Sequence, residues 1–286
     1  MRLPIISGLL GHPVAHTLSP SIHNYLYEQR KVPGRYAVFD ILPEYLPAFL
    51  RNLKLSDKRG INVTLPYKQA VIPYIDELSD TAAACGAVNV ILNRSGSLYG
   101  DNTDVTGFVR ALHKHKIIIG GQRVLLLGAG GAARAVMAAL MSLRPAAIQV
   151  MARRECQAAD LVADFQANTD TPLLFCVWNK QHEFRYMSVA DIIINATPVG
   201  MWPHVEAYPG LLPPVFRTGQ IVIDLIYNPL KTKWLTWAEQ HNCTTMNGLD
   251  MLLEQACLSF EKINQIALER AVFPPTYYWE QKVQVY

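Results

Sequence analysis

RVLLLGAGGAA, residues 123–133, is the segment that indicates the fold most directly. Val124–Leu127 is apolar enough to form a strand buried on both faces. The pattern Gly128-x-Gly130-x-x-Ala133 then lets peptide N–H groups approach a pyrophosphate at the start of a helix. Such a turn can also serve for close helix packing alone, but the buried strand before it and the apolar helix after it favour a nucleotide site. The stretch therefore predicts a βαβ unit of the Rossmann type.

The next predicted strand, Ile148–Met151, carries the information on cofactor choice. Sites specific for NAD usually place an acidic residue after this strand, for the ribose 2′-hydroxyl. Here the strand is followed by Ala152-Arg153-Arg154, and two guanidinium groups suit a 2′-phosphate. Glu155 directly after them is an alternative that would serve a 2′-hydroxyl. The loop favours NADP over NAD.

Short apolar runs alternate with helical patterns along the whole chain, which predicts an α/β fold with two domains. A turn-rich segment ending at Asp104 marks the end of a first domain, and the unit that opens at residue 123 belongs to the second. A long amphipathic helix, predicted from Leu249 to about Ala271, returns the chain to the first domain. We therefore predict an α/β substrate-binding domain at residues 1–104 plus 249–286, and a doubly wound dinucleotide-binding domain at residues 105–248.

Composition excludes several classes of protein. The 286 residues are 50% hydrophobic with a formal charge of +3, which indicates a globular chain and argues against nucleic-acid binding. Apolar runs are too short or too interrupted by glycine for a membrane span. Five scattered cysteines, with no C-x-x-C pair, indicate neither a disulfide framework nor a zinc site. Four histidines, His16, His23, His113 and His115, have no metal-ligand spacing, so no metal is expected. The predicted compartment is the cytoplasm.

Four segments before residue 110 are rich in groups that bind a small polyhydroxylated anion. They are GHPVAHTLSP (residues 11–20), NVTLPYK (62–68), GAVN (86–89) and GDNTD (100–104). Taken singly, each has an ordinary structural explanation. Thr17 and Ser19 could cap a helix near Pro20, Asn62 and Thr64 could end a strand, and Asp104 could be a helix N-cap.

Taken together and in this order, the segments resemble the shikimate and quinate dehydrogenase family. The resemblance covers nearly the whole chain. Further segments that carry it are GLLGHP (residues 8–13), GDNTDVTGF (100–108), GAGGAARA (128–135), NATPVGM (195–201), YNP (227–229) and NGLDMLLEQA (247–256). So many ordered matches are much more specific than any single one.

The resemblance implies an NADP-dependent, reversible reduction of 3-dehydroshikimate to shikimate, a step towards chorismate and the aromatic amino acids. It implies that Lys68 and Asp104 are the catalytic pair. Lys68 can be the positive donor that stabilises and protonates the alkoxide that hydride addition creates, and the sequence leaves open which of the two residues transfers the proton. Implied substrate contacts are Thr17, Ser19, Asn62, Thr64, Asn89, Tyr227 and Gln255. Implied cofactor contacts are Gly128, Ala129, Gly130, Gly131, Ala132, Ala133, Arg153, Arg154, Thr197, Leu225, Gly248 and Met251.

Departures from the family pattern keep two alternatives open. Thr17 stands where serine is usual, and its added methyl bears on the choice between shikimate and quinate. Ala152-Arg153-Arg154 replaces the usual Asn-Arg-Thr, which bears on the cofactor. A dehydrogenase that oxidises quinate with NAD is therefore one alternative, and a non-catalytic NADP-binding sensor on the same fold is the other. We expect a monomer or homodimer whose ligands are small molecules.

Overall fold

A computed structural model describes residues 4–14, 17–167, 169–211, 215–268 and 276–283. The chain divides into two compact units. One comprises the chain up to Gly107 together with Leu253–Lys282, and the other comprises Phe108–Leu252. The sequence places the boundaries at 104/105 and 248/249, and the structure changes unit three and four residues later, in each case inside a helix.

The first unit is built around a mixed sheet. Its helices and strands are, in chain order, β1 (Ile5–Gly11), α1 (Ser19–Gln29), β2 (Arg35–Asp40), α2 (Leu46–Lys54), β3 (Gly60–Val63), α3 (Tyr67–Ala70), β4 (Glu77–Leu78), α4 (Asp80–Cys85), β5 (Val90–Arg94), β6 (Ser97–Asp101) and α11 (Thr276–Val283). The strand order is β2-β1-β3-β5-β6-β4. β1 runs parallel to β2 and β3, whereas β5 runs antiparallel to β3 and β6. This sheet buries a core that includes Leu10, Leu50, Ile61 and Ile91.

The second unit is a parallel sheet. Its elements are β7 (Arg123–Leu127), α6 (Gly131–Leu143), β8 (Ala147–Ala152), α7 (Glu155–Gln166), β9 (Leu173–Val177), α8 (Lys180–Val189), β10 (Ile192–Asn195), β11 (Ile221–Asp224), α9 (Lys233–Gln240) and β12 (Thr244–Met246). The strand order is β12-β11-β10-β7-β8-β9, with each neighbouring pair parallel. Strand order reverses at β7, so the loop after β7 lies at the topological switch point where ligands bind in such sheets. The predicted α/β fold, with a substrate-binding domain and a Rossmann-type domain, is confirmed.

Two helices carry the chain from one unit to the other. They are α5 (Asp104–Lys114) and α10 (Leu249–Asn264). The prediction that the second helix extends to about Ala271 was wrong, because α10 ends at Asn264. Gln265 adopts a left-handed conformation with φ +57°, and the N–H of Ile266 bonds back to the carbonyl of Glu261, which terminates the helix. Glycine usually marks such an end, so glutamine gave no signal. Ala271 lies outside the described residues.

No helix among the described residues is long and apolar enough to cross a membrane.

Candidate active site

Lys68 and Asp104 form an ion pair in the first unit. Lys68 lies in α3, directly after the loop that follows β3, and Asp104 is the first residue of α5. The Nζ of Lys68 lies 2.5 Å from Oδ2 of Asp104, and the two side chains are 17% and 7% exposed. Because so little water surrounds the pair, the two charges interact more strongly than an exposed pair does. The fold therefore brings the two predicted catalytic residues into direct contact.

Amide side chains surround the carboxylate of this pair. Asn89 Nδ2 donates to Oδ1 of Asp104 at 2.9 Å. The same Nδ2 lies 3.4 Å from Oε1 of Gln255, which comes from α10. Gly107, one turn after Asp104, permits this approach, because a Cβ there would lie 2.9 Å from the Cβ of Gln255. Lys68, Asp104, Asn89 and Gln255 thus form one cluster, which we call the amide-carboxylate cluster.

Two further members of the GDNTD segment, which no sequence pattern assigned to the site, support this cluster. Asn102 Oδ1 accepts a hydrogen bond from the backbone N–H of Asp104 at 3.0 Å. The backbone N–H of Thr103 donates to Oδ1 of Asn89 at 2.7 Å, which fixes the orientation of that amide. Both residues are buried. An Asn-Thr-Asp run before a helix is the local signal that could have identified them.

Asn62 lies at the end of β3 and joins the cluster indirectly. Its Nδ2 lies 3.4 Å from the carbonyl of Asn89, and its Oδ1 accepts a hydrogen bond from the hydroxyl of Tyr36 at 2.9 Å. Tyr36 comes from β2, and the sequence alone does not reveal its contact with Asn62. Thr64 is half-buried, and within the described residues no side-chain hydrogen bond links it to the cluster.

Thr17 and Ser19 pair with each other. The hydroxyl of Thr17 donates to Oγ of Ser19 at 3.1 Å and accepts from the backbone N–H of Ser19 at 3.2 Å. The N-cap of α1 is Leu18, which makes no side-chain capping bond, so neither hydroxyl is the helix cap that the simpler explanation requires. Ala15 and His16 of this loop lie outside the described residues.

The glycine loop of the second unit fits a dinucleotide. Gly128 has φ +103°, a conformation that favours glycine, and a Cβ there would meet the side chain of Thr197 at 3.0 Å. Gly130 differs, because a Cβ there would meet nothing within 4 Å. The space in front of Gly130 is therefore open, at the N-terminus of a 13-residue helix whose N-cap makes no side-chain hydrogen bond. Open space and unsatisfied N–H groups suit a pyrophosphate.

The other residues of this loop differ in burial. Ala133 is buried, and Ala129, Gly131 and Ala132 are partly exposed at the turn into α6. Ala133 therefore packs the helix against the sheet, and the three partly exposed residues are accessible to a ligand.

The remaining predicted cofactor residues follow neighbouring strands. Thr197 comes after β10, and its methyl borders Gly128. Leu225 comes after β11 and packs on Gly248, where a Cβ would lie only 1.9 Å from the carbonyl oxygen of Leu225. Met251 is buried in the first turn of α10. Tyr227, predicted to contact the substrate, belongs to this unit and is half-buried after β11.

Arg153 and Arg154 are both exposed after β8. Arg154 precedes α7, and its Nε donates to Oε1 of Gln157 at 3.0 Å. Glu155 is also exposed, in the first turn of α7. The structure thus places two guanidinium groups after the strand next to β7, where a 2′-phosphate needs them.

In the part of the chain that the structure describes, no group of three or more His, Cys, Asp or Glu residues is arranged to hold a metal ion. All five cysteines are free.

Comparison with known proteins shows the family to which this chain belongs. Residues 9–91 match the family model described as the shikimate dehydrogenase substrate binding domain. A curated relative from Moorella thermoacetica, named shikimate dehydrogenase (NADP(+)), is 42% identical over 254 residues, which are 88% of this chain and 85% of that protein. The chain belongs to the shikimate dehydrogenase family. The resemblance predicted from the sequence is confirmed.

Two solved structures of the family have the same fold. The shikimate 5-dehydrogenase from Thermus thermophilus, in complex with NADP(H) and shikimate, is 32% identical, with a TM-score of 0.79 over 98% of this chain and 99% of that chain. The enzyme from Listeria monocytogenes, in complex with shikimate and NAD, is 29% identical, with a TM-score of 0.83 over 98% of this chain and 96% of that chain. Members of the family have therefore been solved with either nicotinamide cofactor.

Proposed function

We propose that this chain catalyses the NADP-dependent, reversible reduction of 3-dehydroshikimate to shikimate, as an oxidoreductase of the shikimate pathway. The observation that carries the proposal is the contact between Lys68 and Asp104 inside the amide-carboxylate cluster. Family membership supports it, since the Moorella relative is named as an NADP(+) shikimate dehydrogenase. The exposed arginines after β8 and the open space at Gly130 support NADP as the cofactor.

The chemistry requires a proton donor at the substrate oxygen. The bound dihydronicotinamide supplies a hydride to the carbonyl carbon of 3-dehydroshikimate, and the carbonyl π electrons move onto oxygen. The ammonium of Lys68 donates a proton to that oxygen, so that the products are shikimate, NADP⁺ and neutral Lys68, which regains a proton from water. Asp104 orients the ammonium through its Oδ2 and stabilises its positive charge. In the reverse direction, the neutral amine of Lys68 accepts the hydroxyl proton.

The other proposed contacts divide by chemistry. Thr17 and Ser19 would donate their hydroxyl hydrogens to the substrate carboxylate, with Tyr227 as a further hydroxyl donor. Neutral donors suffice for a single carboxylate in a dry pocket. Contacts proposed for the ring hydroxyls are the side chains of Asn62, Thr64, Asn89 and Gln255.

Initial rates at the nicotinamide absorbance band test the proposal. Purified protein is offered shikimate or quinate, each with NADP⁺ or NAD⁺. We expect shikimate with NADP⁺ to give the highest kcat/KM. Dominance of quinate or NAD⁺ would replace the proposal by the quinate dehydrogenase alternative and make Thr17 and Arg153 the residues to dissect.

A non-catalytic NADP-binding sensor is the second alternative. A protein that only binds NADP has no need for a lysine held by a largely buried carboxylate, and the Lys68–Asp104 contact therefore favours an enzyme. Absence of turnover with all four substrate pairs, with NADPH binding still detectable, would favour the sensor.

We further propose a cytoplasmic monomer or homodimer. Five free thiols favour a reducing compartment. Light scattering coupled to size-exclusion chromatography measures the oligomeric state.

A further inference from the structure

Asp224 is a fully buried carboxylate at the end of β11. Among the described residues, three groups donate hydrogen bonds to it, and all three are neutral. Its Oδ1 accepts from Asn195 Nδ2 at 2.9 Å and from the backbone N–H of Ile226 at 3.1 Å, and its Oδ2 accepts from the hydroxyl of Thr232 at 2.8 Å. Burial raises the pKa of Asp224 to about 7, although each of the three hydrogen bonds lowers it. A buried acid of this kind is unfavourable for stability, so its presence calls for a functional explanation.

The hydrogen bond from Asn195 to Asp224 orients the loop after β10. Asn195 is the register partner of Asp224 on the neighbouring parallel strand. Because Asn195 Nδ2 is bonded to Asp224, Oδ1 of Asn195 must face the other way, where it accepts from the backbone N–H and from the hydroxyl of Thr197, at 2.9 and 2.6 Å. Thr197 in turn borders Gly128 in the dinucleotide loop. Asp224 therefore sets the amide orientation that holds Thr197 in place.

The hydrogen bonds from Ile226 and Thr232 to Asp224 orient the segment after β11. Its bond to the N–H of Ile226 fixes the turn that follows Leu225, and the carbonyl of Ile226 accepts from the N–H of Gly248 at 2.9 Å. Thr232 lies at the end of the same segment. It is the N-cap of α9, and its hydroxyl accepts a hydrogen bond from the N–H of Leu235. A single carboxylate thus holds both ends of the loop from residue 225 to residue 232.

We propose that Asp224 is a positioning residue that holds Thr197, Leu225 and Gly248 in the geometry that binds NADP. The proposal rests on the cofactor contacts proposed above. Asp224 touches neither the cofactor nor the reacting atoms and acts through Asn195 and Ile226. The ionised form serves best, because a carboxylate accepts from all three donors and hydrogen bonds to a charged acceptor are roughly twice as strong as neutral ones.

As the pH rises, the contribution of Asp224 to the stability of the fold should fall, whereas its contribution to NADPH binding should rise. The folded pKa of about 7 lies above the value of 3.8 that an unburied aspartate has, so the folded chain binds more protons between these two pH values. Its contribution to stability is therefore fully present below about pH 4 and is lost as the pH rises through 7. Binding behaves oppositely, because deprotonation strengthens the bonds that hold the loops.

The variant D224N tests this relation. An asparagine keeps an acceptor oxygen for Asn195 and Ile226 and removes the charge. We expect D224N to melt at the same temperature as the wild type at pH 8, or higher, and to bind NADPH about threefold more weakly there, as loss of charge assistance to two hydrogen bonds predicts. At pH 6, where Asp224 is largely protonated, the two proteins should bind NADPH equally. The 2′-phosphate titrates in the same range, but it contributes equally to both proteins and cancels from their ratio.

Two further variants complete the test. D224A removes all three bonds and should weaken NADPH binding roughly tenfold or more, provided that circular dichroism shows it folded. Q220A is the matched control, because Gln220 is equally buried, directly precedes β11 at the opposite end of the strand, and bonds the carbonyls of Met187 and Ala190. Q220A should lower the melting temperature without changing NADPH affinity.

The outcomes separate this inference from the proposed function. A D224N variant that binds NADPH as tightly as the wild type at pH 8 overturns the positioning role, as does a folded D224A that binds NADPH like the wild type. Failure of the wild type to oxidise shikimate while it binds NADPH would instead overturn the proposed function and leave the positioning role standing. A wild type that binds no NADPH overturns both.

Discussion

The amide-carboxylate cluster and the dinucleotide loop are built in opposite ways. The cluster consists of side chains from α3, α5, α10 and the residue before β5, which bond to one another around Asp104. The dinucleotide loop consists of backbone, with glycine at position 128, where a Cβ would meet Thr197, and at position 130, where a Cβ would enter open space. The amide-carboxylate cluster provides chemical groups, whereas the dinucleotide loop provides open space for a ligand.

This difference predicts how each region should respond to mutation. Removing a side chain from the cluster removes a chemical group, so the effect should fall on kcat or on substrate affinity. Adding a side chain to the loop fills space, so the effect should fall on cofactor affinity.

Lys68→Ala has the largest expected effect. Loss of the ammonium should lower kcat on the order of 10²-fold or more, because the alkoxide loses its proton donor, while NADPH affinity should stay unchanged. Steady-state rates with shikimate and NADP⁺ measure the first quantity, and fluorescence titration measures the second. Lys54→Ala is the matched control, since Lys54 also pairs with an aspartate, Asp76, at 2.6 Å but is more exposed. Near wild-type turnover in Lys68→Ala would remove its catalytic role.

Gly130→Ala should act on the other region alone. The new methyl meets no protein atom within 4 Å, so the melting temperature should change little. NADPH affinity should fall on the order of tenfold or more, because the methyl occupies the space proposed for the pyrophosphate and overpacking of this kind is unfavourable by about 1–3 kcal/mol. The matched control is Gly128→Ala, which should lower both stability and affinity, because φ +103° and contact with Thr197 disfavour any side chain. Unchanged NADPH affinity in Gly130→Ala would contradict the proposed pyrophosphate position.

Ser19→Ala should weaken shikimate binding and spare the cofactor. One hydrogen bond to a charged carboxylate is worth about tenfold in affinity at the lower end of the usual range. Titration calorimetry with shikimate and, separately, with NADPH distinguishes the two effects. Ser21→Ala, two residues later in the same helix, should change neither affinity. If shikimate binds equally to Ser19→Ala and the wild type, Ser19 is not a substrate contact.

Arg153→Ala and Arg154→Ala have the smallest expected effects. Both side chains are exposed, so each pair with a 2′-phosphate should be worth no more than about fivefold in KM for NADPH. KM for NADH should stay unchanged, because NADH lacks this phosphate. The exposed Arg185 on α8 provides the control, as Arg185→Ala should affect neither cofactor. Equal changes for NADPH and NADH would assign the arginines to a general electrostatic role.

The sequence predicted the strands and loops of the second unit best, because local chemistry dictates them. A buried apolar run before GAGGAA is sufficient to predict β7, the turn and α6, and the predicted strand Ile148–Met151 lies within β8, which extends one residue further at each end. The end of α10 was missed, because Gln265 takes a left-handed conformation that local sequence favours only for glycine or asparagine.

For the candidate site too, local sequence predicted some features and not others. The family motifs identified Lys68, Asp104, Asn89 and Gln255 as candidate site residues. The tertiary structure alone brings them within hydrogen-bond distance. Tyr36 behind Asn62 is a contact across 26 residues that no local pattern encodes.

The order of residues along the chain establishes the chemistry available to this protein: a glycine-rich turn after a buried strand, a lysine, an aspartate and their amide neighbours. The packing of helices and strands determines which polar groups come within hydrogen-bond distance of one another. Asp224 illustrates the distinction. As a residue it is one aspartate after three apolar residues, but β11 places it beside Asn195 and buries it completely. Burial and register are properties of the packed sheet, and burial raises the pKa of that acid to about 7.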